Sequence, residues 1–81
     1  MHRLRDGQKK AIGFKQSFKA VVRGLAVVVY VAKDSAAKIR LPLLEACAKQ
    51  EVPVVEVETM LELGKACKIQ VGASAAAVIK D

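Results

Sequence analysis

The segment Gly13-Phe14-Lys15-Gln16-Ser17-Phe18-Lys19 concentrates the side chains best suited to hold an anion. A glycine stands where a helix can begin, and the free N–H groups and positive end of a helix attract phosphate. Lys15 and Lys19 add charge one helical turn apart, and Gln16 can both donate and accept at the edge of a base. By composition this is a recognition helix. The same pattern also describes the solvated face of an ordinary amphipathic helix, and physics alone leaves the two readings level. Arg23, on the same basic face, and Lys33, just past a later strand, extend the set of candidate cations. A second segment, Lys68-Ile69-Gln70-Val71-Gly72, places two branched apolar residues between a lysine and a glycine. An exposed apolar loop and a short buried strand fit it equally well.

Other chemistry is missing. Catalysis needs a nucleophile, acid or base held by partners, and a metal needs converging His, Cys or carboxylate ligands. The single histidine, His2, sits near the N-terminus, where solvent exposure is expected. Cys47 and Cys67 lie far apart without C-x-x-C spacing, which predicts reduced, buried thiols and neither a zinc site nor a disulfide framework. Asp34-Ser35 follows a strand, where α/β enzymes place functional groups, but a turn and helix cap explain the pair better. Neither G-x-x-x-x-G-K-S/T nor G-x-G-x-x-G occurs, so no nucleotide-binding loop is expected. The reading is therefore a binding protein, not an enzyme, with no cofactor and no metal.

The elements that must position these residues follow from periodicity. Arg3 to Lys9 reads as a polar helix weakened by Gly7, and Ala11-Ile12 as an edge strand. From Phe14 to Arg23 the pattern is helical. Phe14, Phe18, Val21, Val22 and Leu25 fall within a sector of about 100° that predicts the core face. Lys15, Gln16, Lys19 and Arg23 fill a separate sector, and Gly24 supplies the stop. Ala26 to Ala32, AVVVYVA, is β-branched and continuously apolar, which predicts a central strand covered on both faces. Ser35 is the expected N-cap of the next helix. Because Pro42 would break a helix interior, a short turn is expected first, then a helix from about Leu41 to Gln50 with Pro42 in its first turn. Pro53 to Val57 predicts a strand with proline at its start. Thr59-Met60-Leu61-Glu62 is a T-x-x-E capping box opening a helix that ends near Cys67-Lys68, and Ala75 to Ile79 predicts a last strand of small residues. Alternating strands and helices of this size imply an α/β fold. The form expected is a three-layer α/β/α sandwich around a four-stranded, mostly mixed sheet.

The totals narrow the class. With 81 residues there is room for one domain, residues 1–81, and no second core. Fourteen Lys and Arg against eight Asp and Glu leave a net charge of +6, which favours an anionic partner. The basic start MHRLRDGQKK leads into no apolar stretch, so no secretory signal is expected and the cytoplasm is the predicted location. The longest apolar run, Leu25 to Ala32, is far short of the ~20 residues that cross a bilayer. Aromatic residues make up 4% of the chain, and it lacks both the aromatic RNP segment and a G-x-x-G loop, which argues against two common RNA-binding modules.

The runs GFKQSFKAVVRG, AVVVYVAKD, IRLPLLEAC, VPVVEVETM and LGKACKIQVGASAAAVI, in this order, resemble the kink-turn RNA-binding ribosomal-protein family of the L7Ae/L30e type, and its small bacterial paralogues. The resemblance covers the chain from about Leu4 to Ile79. It implies an α/β/α sandwich that grips the sharply bent kink-turn of RNA, the start of a helix meeting tandem G·A pairs. The archaeal pattern at that helix is Gly, a small residue, Asn, Glu, two variable residues and Lys. Gly13 and Lys19 match it, whereas Lys15 and Gln16 stand for Asn and Glu, as in the bacterial branch. Ile69-Gln70-Val71 matches the family loop that packs on the unstacked nucleotide. Phe14 stands where a small residue is usual, and Lys68 where glycine is common. The expectation is a monomer that holds kink-turn RNA, with the ribosome as a possible setting and no membrane partner. A structural or protein-interaction ribosomal subunit with only nonspecific RNA contacts is the alternative.

Overall fold

The computed structural model describes residues 9–67 and 72–80. The chain runs β1 (Lys10–Ile12), α1 (Phe14–Val22), β2 (Ala26–Ala32), α2 (Ala37–Gln50), β3 (Val54–Val57), α3 (Met60–Ala66) and β4 (Ala75–Ile79). The strands form one sheet in the order β1-β4-β2-β3. β2 pairs parallel with β3, and β4 pairs antiparallel with both β1 and β2, so the sheet is mixed. The polar helix expected over Arg3–Lys9 lies outside the described residues except for Lys9, which is exposed and precedes β1. No described helix is long and apolar enough to cross a membrane.

β2 is buried on both faces because each face has its own helical cover. Val29 and Val31 join Val21 of α1 and Leu43 and Cys47 of α2 in one core. Val28, Tyr30 and Ala32 join Leu63 and Cys67 in the α3 region in the other. Successive side chains of a strand point to opposite faces, so one apolar run feeds both cores. A register shift against β4 between Ala26 and Val28 marks a bulge, and Ala26 accordingly shares a core with Val29 while Val27 packs with Val28. β4, the other interior strand, carries alanines at 75, 76 and 77, all buried.

Three local expectations need correction. The core face of α1 is Ser17, Ala20 and Val21, with Phe14 and Phe18 half-buried beside it, whereas Val22 and Leu25 are 52% and 43% exposed. Small residues let the helix lie close on the sheet, the Ser17 hydroxyl is satisfied by donating to the Ala11 carbonyl, and the two rings pack at its flank. Leu25 lies past the helix end, where the wheel no longer applies. Gly24 at φ 71° turns the chain, with Gly24 N–H bonded to Val21 and Leu25 N–H to Ala20. The second helix begins at Ala37, not near Leu41, and Pro42 lies inside it. Pro42 lacks the N–H that would bond the Lys38 carbonyl, and both residues are exposed, so the lost bond falls on the outer side of the helix. Finally, Ser35 does not cap this helix. The N-cap is Ala36, without a side-chain bond, and the Ser35 hydroxyl donates back to Ala32 at 2.7 Å. Thr59 does cap α3, its Oγ1 accepting from Glu62 N–H at 3.0 Å, which is the threonine half of the expected capping box.

Candidate nucleic-acid interface

β1, β2 and β3 all end at the edge of the sheet where β4 begins. Gly13 N–H bonds to Ala75, Ala32 N–H to Ser74, Lys33 N–H to Val57 and Ala73 N–H to Met60, each at 2.8 to 3.0 Å. All three helices therefore start at this end, with the positive ends of their dipoles on one side of the molecule. Two of the free donors of α3, the N–H groups of Met60 and Glu62, are already engaged by Asp34 and Thr59, and its first turn carries Glu62. α1 and α2 both lack an acidic residue in the first turn and a side-chain cap bond, but α1 alone opens on a glycine, Gly13, and carries the Lys15-Gln16 pair in its first turn. The N–H groups of Phe14, Lys15 and Gln16 have no partner within the helix.

Gly13 makes this opening possible. Its φ of 96° and ψ of 162° fall in a region essentially closed to other residues, although a Cβ there would meet no atom within 4 Å. The glycine is required by the backbone, and the space before the helix stays open. Beyond it Lys15, Gln16 and Lys19 are exposed, as the wheel predicts. Phe14 turns inward and meets Phe18 at 5.7 Å between ring centroids, which leaves the exposed side of the first turn to the polar residues. Arg23 is also exposed, but it caps the far end of a nine-residue helix, roughly 13 Å from the start, so it borders the site at most.

Lys33 lies at the right end of the sheet, yet its ammonium is 3.2 Å from the Glu58 carboxylate, so its charge is partly answered. Lys68, Ile69, Gln70 and Val71 fall outside the described residues. Their two anchors do not. Cys67 is buried at the end of α3, and Gly72 lies so close to the start of that helix that a Cβ would be 3.2 Å from Met60 Cβ. Met60 and Leu61, 37% and 58% exposed, put apolar surface beside these anchors. Neither was singled out from the sequence, although the T-x-x-E pattern at Thr59 already placed both in the first turn of a helix.

The thiols offer no nucleophile. Burial pushes the Cys47 thiol up, and burial also raises Cys67, opposed by the positive charge of Lys10. Among the described residues no group of three or more His, Cys, Asp or Glu side chains could hold a metal ion.

An α/β/α sandwich with a glycine-opened, lysine-flanked helix start at the end of the sheet where its helices begin defines a class of small domains suited to hold a polyanion by shape and charge. The chain belongs to the ribosomal protein L7Ae/L30e/S12e/Gadd45 family, whose model matches residues 2–81. It is 46% identical over 72 residues to a protein of Geobacillus sp. (strain WCH70) named as an RNA-binding protein, covering 89% of this chain and 88% of that one. The RNA-binding protein YbxF of Geobacillus stearothermophilus is 44% identical over the same length, with the same coverage. The large ribosomal subunit protein eL8 of Halobacterium salinarum (strain ATCC 29341 / DSM 671 / R1) is 42% identical over 76 residues, 93% of this chain but 63% of that protein. Among solved structures, a protein with unknown function from Bacillus halodurans C superposes with a TM-score of 0.79 at 25% identity, covering 88% of this chain and 71% of that chain.

Proposed function

We propose that this chain is an RNA-binding protein that recognises and stabilises kink-turn RNA, acting as a cytoplasmic monomer without catalysis or cofactor, with ribosomal RNA among its possible settings. Lys15, Gln16 and Lys19 meet the tandem G·A pairs, the α1 N–H groups meet phosphate, and Ile69 and Val71 hold the extruded base, with Gln70 and Lys68 beside them. The observation that carries this reading is the first turn of α1, opened by Gly13, free of acidic residues and flanked by an exposed Lys-Gln pair. Relatives named as RNA-binding proteins and as a ribosomal subunit protein support the choice of RNA over other polyanions.

The test is a titration into a labelled kink-turn RNA and a mutant lacking the tandem G·A pairs, at one fixed salt concentration. The reading expects a preference of at least about a hundredfold, near 2.7 kcal/mol. Equal affinities would favour the second reading, a ribosomal interaction subunit with nonspecific phosphate contacts, which the similarity to eL8 also allows.

A further inference from the structure

An aspartate that follows a strand and precedes a helix ordinarily caps its own helix. Asp34 does not, since α2 has Ala36 as its N-cap and no side-chain bond there. Its carboxylate instead accepts a hydrogen bond from the N–H of Met60 at 2.8 Å, 26 residues along the chain. Met60 is the first residue of α3, where the N–H groups have no partner within the helix. Thr59 caps Glu62 from within the same segment, but Asp34 reaches α3 from another part of the fold.

Met60 passes this constraint on. Its carbonyl accepts from Ala73 N–H at 3.0 Å, and Gly72 packs so tightly against it that no Cβ fits without displacement. Gly72 and Ala73 form the C-terminal anchor of residues 68–71, and Cys67, at the end of α3, is the N-terminal one. Both anchors are thus referred to α3, and the start of α3 is held by Asp34. A second link between the same turns, the Lys33–Glu58 pair, is 49% and 74% exposed at its two side chains and contributes little. The bond that Met60 N–H donates to Asp34 is exposed too, but it is charge-assisted and directional, and it answers a helix N–H that has no partner within α3.

We propose that Asp34 is a positioning residue, the clamp that sets the start of α3 and, through Met60, the place of Gly72 and Ala73 ahead of β4. Its consequence for RNA rests on the proposed function, whereas the clamp itself rests on Asp34, Met60 and Ala73 alone. The molecule carries its own reporters. Cys67 lies in the core beneath α3 and Cys47 in the core on the other side of the sheet, and both are buried.

The experiment compares wild type, Asp34→Ala and Asp34→Asn by native-state thiol alkylation, resolved for each cysteine by mass spectrometry. In Asp34→Ala, Cys67 should react roughly three- to tenfold faster, the population change that follows loss of one helix cap, with Cys47 unchanged. Asp34→Asn keeps an acceptor oxygen and should stay near wild type. Unchanged Cys67 reactivity, or equal acceleration at both cysteines, would overturn the clamp. The same proteins are then titrated into kink-turn RNA and its G·A-deficient control. A wild type with preference and an Asp34→Ala variant that retains it in full would overturn the positioning role. A wild type without preference would remove the proposed function instead, and the thiol rates alone would then decide whether the clamp exists.

Discussion

At the scale of single residues, the exposed stripe of α1 divides its labour by hydrogen-bond chemistry. Lys15 and Lys19 only donate, so they answer phosphate or base acceptors, whereas Gln16 is the member that also accepts. Gln16→Ala should therefore cost about 1–3 kcal/mol in binding to kink-turn RNA and much less on a straight duplex, as measured by parallel titrations. Equal losses on the two RNAs would remove its readout role. The exposure of this stripe was legible from spacing, because charged residues at helical period leave only one side for the core. The inward turn of Phe14 was not, since its partner Phe18 and the helix's seat on the sheet settle it. Nor was the reach of Asp34. Its neighbours in sequence announce a cap, and only the approach of the β3 end to the β2 end decides which helix receives it.

At the scale of elements, α1 and α2 end alike. In each, the chain reverses through a left-handed residue, with two N–H groups bonded back to the last turn, but α1 uses Gly24 at φ 71° and α2 uses Glu51 at φ 57°. A residue with a Cβ is strained there by roughly 1–2 kcal/mol, and glycine returns part of that through its freer unfolded chain. Glu51→Gly should thus raise stability by about 0.5–1 kcal/mol, seen as a higher denaturant midpoint at unchanged slope. A fall in the midpoint would show that the glutamate side chain holds the turn. The α1 stop was legible because glycine marks it. The α2 start was obscured by Pro42, whose missing donor matters less where Pro42 and Lys38 are both exposed residues.

Across the whole molecule, the sheet separates two cores, each with one buried cysteine. Burial raises both thiols above their ordinary value of 9.0 in the folded state. The folded protein therefore holds those protons when the unfolded chain begins to release them. The stability this provides is complete below about pH 9 and is lost as pH rises through the raised folded values. Denaturation series across that window should show stability falling, and the Cys47→Ala, Cys67→Ala double variant should fall less steeply. Parallel curves would place the loss on other groups. By itself, the sequence determined the kinds of element and nearly all their order, the polar stripe of α1, the cap at Thr59 and the resemblance that named a family. These depend on residues within about one helical turn or on a β run of fixed period, which short stretches of chain encode alone. The tertiary structure alone decided the strand order, the roll of α1 onto Ser17 and Ala20, the gathering of three helix starts at one end of the sheet, and the bond that Met60 N–H donates to Asp34. Periodicity says which side of an element is apolar. It does not say what lies opposite, and contacts between segments tens of residues apart are selected by size, shape and partner geometry, which no local pattern contains.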